Sequence, residues 1–154
     1  MLIRNLVAED YPAFRDLYTK LDEYHVEMRP EDFVPRDDVF PEDTFLHNLG
    51  YPDGMQMGAF DENGKMLGFV EATLWHKCTM REDLKSVCLD NIYVLPEYRR
   101  MGIAAKLFSE VEEWSRERGA VRLELHTWDF NKGAISMYTA MGMTPQRYVF
   151  EKRL

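Results

Sequence analysis

LPEYRRMGIAAKLF, residues 95–108, is the stretch on which the reading of this chain turns. A proline closes the segment before it, two arginines and a glycine follow, and an alanine-rich run opens a helix. Downstream, Ala104, Leu107, Phe108, Val111 and Trp114 recur at helical spacing and form one apolar face, with Gly119 as a natural stop. The N–H groups of a first helical turn have no intrahelical acceptor, and the macrodipole adds positive character there. Arg99 and Arg100 stand beside this end, and Gly102 has no side chain to obstruct it. Such a terminus suits a phosphate or pyrophosphate. A plain strand-to-helix connection is the other reading. No G-K-[ST] follows and the run is not G-x-G-x-x-G, so the P-loop and dinucleotide readings lose their support.

Just upstream, LKSVCLDNIYVLP (84–96) reads as a strand whose parity breaks. Val87 and Leu89 are apolar at odd positions, Ile92 and Val94 at even ones. A regular strand keeps one parity because its side chains alternate faces. The switch near Asp90–Asn91 suggests a β-bulge, whose freed backbone groups need partners that a ligand with its own amides can supply. A strand buried on both faces would also hide its parity.

Outward from this core the chain shows no repeat, low-complexity tract or linker, so residues 1–154 read as one domain. Residues 2–6 read as a strand and 8–28 as a helix with Phe14, Leu17, Tyr18, Leu21 and Tyr24 at helical spacing, Asp10 as N-cap and Pro12 in the first turn. Residues 41–50 form a short helix. MQMGAF and KMLGFVEATLW are β-rich runs joined by DENGK, a hairpin signal. AVRLELHTW (120–128) alternates Val121, Leu123 and Leu125 as a strand; NKGAISMYTAMG (131–142) is a short helix; TPQRYVFEKRL (144–154) reads as a last strand. This order predicts an α/β mixed domain.

With 45% hydrophobic and 30% charged residues the balance is that of a soluble globular chain. No apolar run approaches the ~20 residues of a membrane span, and the N-terminus lacks the pattern of a signal peptide. The net charge of −8 argues against a nucleic-acid partner. Residues 1–80 hold 16 acidic and 7 basic side chains, and the acid concentrates at 22–43, which is either a solubilising face or a field that attracts a cationic partner such as an amine. Two cysteines, Cys78 and Cys88, suit a reduced, cytoplasmic protein. His76 lies near Cys78 without further ligands to complete a set, so no metal is expected.

The run Arg99-x-x-Gly102-x-Ala104, set in NIYVLPEYRRMGIAAKLF, resembles the [RQ]-x-x-G-x-[GA] signature of the GNAT N-acetyltransferase superfamily. NKGAISMYTAMGM is similar to the second block of that family, and IRNLVAEDYPAFRDL to its usual opening. The resemblance implies a GNAT-like fold: a central mixed, mostly antiparallel sheet of about six to seven strands with a splayed, bulged central strand and about four flanking helices. It implies acetyl-CoA as cosubstrate, its pyrophosphate on the N–H groups of Arg99, Arg100, Met101, Gly102, Ile103, Ala104 and Ala105. Backbone groups of the Ile92–Tyr93–Val94 edge, those of Ile92 and Val94 above all, would meet the pantetheine, and Asn131 would contact the cofactor or cap its helix. Tyr138 matches the tyrosine that protonates the departing thiolate.

The implied reaction is acetyl transfer to a primary amine by direct attack on the thioester. The amine must be neutral to attack, so a base, directly or through water, must accept its proton. A backbone N–H of the bulged strand can polarise the thioester oxygen. Neither cysteine is needed for this chemistry. Glu124 is the expected base, since it lies where a ribosomal-protein alanine N-acetyltransferase branch carries a glutamate; its distance from Asn131 is about two residues longer than in that branch. Glu71, His126 and water are rivals. His25 either lines the acceptor side or packs. The alternative reading is a non-catalytic acyl-CoA-binding or interaction module on the same fold. The C-terminal strand offers an edge for a homodimer.

Overall fold

A computed structural model describes residues 1–76 and 84–153; Cys78 lies outside the described residues. The chain runs β1 (Leu2–Asn5), α1 (Tyr11–Met28), α2 (Glu42–Leu49), β2 (Gly54–Phe60), β3 (Met66–His76), β4 (Lys85–Val94), α3 (Ile103–Glu117), β5 (Arg122–Leu125) and α4 (Lys132–Ala140). Short 3-10 turns precede α1 and follow β4. The strands form one sheet in sequence order, antiparallel from β1 to β4 and parallel between β4 and β5. No described helix is long and apolar enough to cross a membrane.

The sheet has five strands among the described residues, not six to seven. The difference lies at the end of the chain. Residues 144–153 have strand-like alternation but form no ladder with another segment among the described residues, and Tyr148, Val149 and Phe150 stand 77%, 90% and 91% exposed. A strand needs a ladder partner, which residue pattern alone does not supply. The adjoining alternation is also only partly used: Leu123 and Leu125 pack on the core while Val121 is exposed.

Two cores cover the two sheet faces. On one, Val70, Ala72, Val87 and Leu89 meet Ile103, Leu107, Phe108 and Val111 of α3. On the other, Phe69 and Tyr93 meet Phe14 and Leu17 of α1, Phe40 and Phe45. Phe14 sits 4.8–5.1 Å from the rings of Phe40, Phe45 and Phe69, and burying each such ring contributes about 2–3 kcal/mol. The helical spacing read in α1 and α3 therefore marks the faces that dock on the sheet. Asp10 bounds α1 as expected, but its carboxylate turns back to accept from the Val7 N–H (2.9 Å) and from Arg4 (2.6 and 2.9 Å), tying β1 to the helix start. The DENGK hairpin closes through Asp61 Oδ1, which accepts from the N–H groups of Asn63 and Lys65.

The parity switch in β4 is a bulge. Pairing with β3 passes from Glu71↔Asn91 to Ala72↔Leu89, leaving Asp90 as the extra residue. Val87 and Leu89 before it, and Ile92 and Val94 after it, all pack on the α3 side.

Candidate active site

The bulge coincides with a parting of strands. β5 pairs with β4 only over Ser86–Leu89; from Asn91 to Val94 the ladder continues on the β3 side alone. Among the described residues the outer edge of 91–94 is therefore free of a neighbouring strand. One of its acceptors is already used: Arg99 Nε donates to the Val94 carbonyl at 3.0 Å, with the guanidinium 5.6 Å from the Tyr93 ring centroid.

This edge leads directly into the N-terminus of α3. Arg100 (φ 64°) and Gly102 (φ 79°) adopt left-handed conformations, which turn successive N–H groups toward one side, as in an anion-binding nest. The first intrahelical bond runs from the Lys106 N–H to the Gly102 carbonyl, so the N–H groups of Ile103, Ala104 and Ala105 lack intrahelical acceptors. The cradle begins at Arg100 rather than Arg99, because the Arg99 N–H donates to the Pro96 carbonyl at 3.2 Å. Space around Gly102 is open, so it is the positive φ, not close packing, that calls for glycine. Gly102→Ala and Gly102→Glu share the backbone cost of about 1–2 kcal/mol, and only the second adds negative charge. The expected result in calorimetry is weaker acetyl-CoA binding by Gly102→Glu than by Gly102→Ala, by at least about tenfold; equal affinities would show that the anion does not sit there.

The α1–α2 side of the sheet carries a cleft of about 350 Å³ beside the bulge, lined among others by Phe40, His47, Tyr51, Glu71, Thr73 and Asp90. Glu71 is buried. It accepts from Gln56 Nε2 (2.5 Å) and Asn91 Nδ2 (3.0 Å), and burial raises its carboxyl pKa to about 7 against those hydrogen bonds. Burial and the nearby Glu71 push the Tyr18 phenol up to about 12. Asp90 is solvent-exposed on the cleft wall, takes a hydrogen bond from Thr73 Oγ1 at 2.6 Å, and has its pKa raised by partial desolvation. A larger groove of about 490 Å³ lies between α2, β2 and the C-terminal half of α3, and none of the bulge or cradle residues lines it.

Tyr138 lies on the opposite, α3–α4 side. Its ring is 6.4 Å from Phe108 and its phenol, pushed up to about 12 by burial, stays protonated at neutral pH. No hydrogen bond to its hydroxyl is formed among the described residues.

A strand parted at a bulge, feeding a nest of free N–H groups with a protonated phenol nearby, is a recognisable constellation. The acetyltransferase (GNAT) family model matches residues 14–143. The chain belongs to the GNAT family. Thialysine N-epsilon-acetyltransferase of Sus scrofa is 29% identical over 153 residues, covering 92% of this chain and 83% of that protein. Matches to its counterparts in Caenorhabditis elegans and Bos taurus span only about a third of those proteins' length, 31% and 34%. Among solved structures, the BH1408 protein of Bacillus halodurans superposes with TM-score 0.94 at 23% identity, covering 100% of both chains. Aminoglycoside N-acetyltransferase AAC(6')-Iy in complex with CoA gives TM-score 0.75 at 20% identity over 99% of each chain.

Within this GNAT fold the other anticipated residues fall as follows. Asn131 caps α4, its Oδ1 accepting from the Ala134 N–H at 3.2 Å. Glu124 pairs across the ladder with Cys88, and its Oε1 accepts from Arg122 (3.2 Å) and Gln146 (3.5 Å). His126 Nε2 contacts Arg147 at 2.9 Å. His25 packs among Tyr24, Phe33 and Phe130 with Nδ1 on the Leu21 carbonyl, away from the residues named for the cleft. Cys88 is buried. No group of His, Cys, Asp or Glu among the described residues is arranged to hold a metal ion. Gln56 as a partner of Glu71 and the Thr73 bond of Asp90 were not anticipated: a strand's residue spacing carries no information on which neighbours it meets across a ladder. The parity switch, however, already marked Asp90.

Proposed function

We propose that this GNAT chain is an acetyl-CoA-dependent N-acetyltransferase acting on a primary amine by direct attack on the thioester. The free edge at residues 91–94, continuous with the cradle at 100–105, carries this reading. The pantetheine would complete the ladder that β5 abandons, and the pyrophosphate would meet the open N–H groups of α3. CoA in the AAC(6')-Iy complex supports acetyl-CoA as cosubstrate. The thialysine and aminoglycoside enzymes among the relatives support an amine acceptor.

Beyond Leu89 β5 no longer pairs with β4, and the acyl group would reach the α1–α2 face along this uncovered edge. An amine entering from the α1–α2 cleft meets carboxylates, which favour a cationic acceptor. Its proton must leave before the nitrogen attacks. Three carboxylates share this sheet face: Glu124, Glu71 and Asp90. Glu124, the base expected from sequence, shares its oxygen with a guanidinium, and Glu71 has both oxygens occupied by amides. Asp90 is exposed at the bulge and is the base favoured by geometry, directly or through a water. A β4 backbone N–H at the free edge stabilises the developing oxyanion. As the C–S bond breaks, the thiolate takes a proton from Tyr138 on the far face, while the proton still on the acylated nitrogen passes to water and the phenolate is reprotonated from solvent.

Thiol release from acetyl-CoA against polyamines, aminoglycosides, free amino acids and peptides tests the proposal. Turnover on one amine class is expected, with kcat falling about 10²-fold in Tyr138→Phe. Tight CoA binding without turnover on any amine would favour the non-catalytic module.

A further inference from the structure

Gln56, Glu71 and Asn91 form one row across β2, β3 and β4: Gln56 faces Glu71, and Glu71 faces Asn91. The carboxylate joins them, with Oε1 receiving Gln56 Nε2 at 2.5 Å and Oε2 receiving Asn91 Nδ2 at 3.0 Å. At 6% exposure, with amide donors on both oxygens, Glu71 has no open side for an acceptor amine. The row sits at the level where the ladder slips. The next pair is Ala72↔Leu89, and Asp90 is left between. The carboxylate thus grips the first residue beyond the bulge.

We infer that Glu71 is a positioning residue: through Asn91 it holds the bulge of β4, and with it the free edge at 92–94 and the outward placement of Asp90. A bulge can slide along a strand, and a side-chain bond to the residue beside the extra one fixes where it stands. The catalytic part of this inference rests on the proposed acetyl transfer; the brace itself does not. Gln56 supplies a way to separate bracing from charge. Its Oε1 is buried and has no hydrogen-bond partner among the described residues. A glutamine at position 71 can keep the Asn91 bond through its own Oε1. It can donate its Nε2 to Gln56 once that amide turns over.

The experiment compares Glu71→Gln with Glu71→Leu, measuring kcat, KM for the amine and acetyl-CoA affinity by calorimetry. Glu71→Gln is expected to stay within about threefold of wild type, whereas Glu71→Leu loses about tenfold or more in both kcat and acetyl-CoA affinity, because a small displacement of the reacting groups is costly. If Glu71→Gln is as damaging as Glu71→Leu, the charge itself is required and the inference fails. It also fails if Glu71→Leu is silent. Should Glu71→Leu not fold, Asn91→Ala removes the same bond and carries the same expectation. A wild type that binds no acetyl-CoA would sink the proposed function instead. In that case a double-mutant cycle of Glu71→Leu and Asn91→Ala, each of which removes the bond, in urea unfolding still decides the brace: non-additive midpoint shifts support it and additive ones overturn it.

Discussion

Asp90→Asn lowers kcat by about 10²–10³-fold while acetyl-CoA affinity stays within about threefold, as expected for loss of a general base that does not touch the cosubstrate. The side chain is close to isosteric, and the Thr73 hydroxyl, which donates to Asp90 Oδ2 at 2.6 Å, can still donate to the amide oxygen. Bulge and fold therefore survive the change. The acidic limb of the kcat/KM profile belongs to this carboxyl, whose pKa is raised by partial desolvation, and it disappears in the variant. The decisive comparison is with Glu124→Gln on the neighbouring strand. Full activity in Asp90→Asn, with the loss and the missing limb in Glu124→Gln, would return the base to Glu124 and leave Asp90 a bulge residue.

The second large effect concerns stability. The Glu71 carboxyl has a folded pKa of about 7 against 4.5 when unperturbed, and burial is the leading cause. Between these values the native state holds a proton that the unfolded chain has released. Stability from this group is therefore complete below about pH 4.5 and is lost as pH rises through about 7, to a total of about 3 kcal/mol. Glu71→Gln removes that loss. Its unfolding free energy should match wild type near pH 4 and exceed it by about 2–3 kcal/mol at pH 8.5, read from urea titrations at both values. A constant difference at the two pH values would mean that the carboxylate is solvated better than its burial implies. The same substitution is expected to spare turnover, so stability and activity report on separate properties of one residue.

The bulge and the open start of α3 were legible in the sequence. Val87 and Leu89 against Ile92 and Val94 located the bulge, because strand parity is a one-dimensional signal. Arg99 to Ala105 located the free helix end for the same reason. What could not be read was whatever depends on neighbours across the sheet. Gln56 becomes meaningful only when the register places it opposite Glu71. Glu71 and Asp90 carry similar side chains, yet one is enclosed by amides and the other exposed. Glu124 had the right side-chain chemistry, and its ties to Arg122 and Gln146 arise from chain segments whose approach the sequence does not encode locally. The segment 144–154 was expected to be a strand, but its pattern reports a preference and not a partner. At Arg99 the expectation of a free N–H failed because the 3-10 turn after Pro96 consumes it.

The parting of β4 from β5 bears on how the two substrates of the proposed reaction would arrive. Under the proposed chemistry the amine arrives through the α1–α2 cleft and the thioester through the α3–α4 side, so the two ligands use separate doors on opposite faces of one sheet. Neither has to leave before the other enters. On that proposal the chain would work through a ternary complex, with each product leaving by the door its parent used.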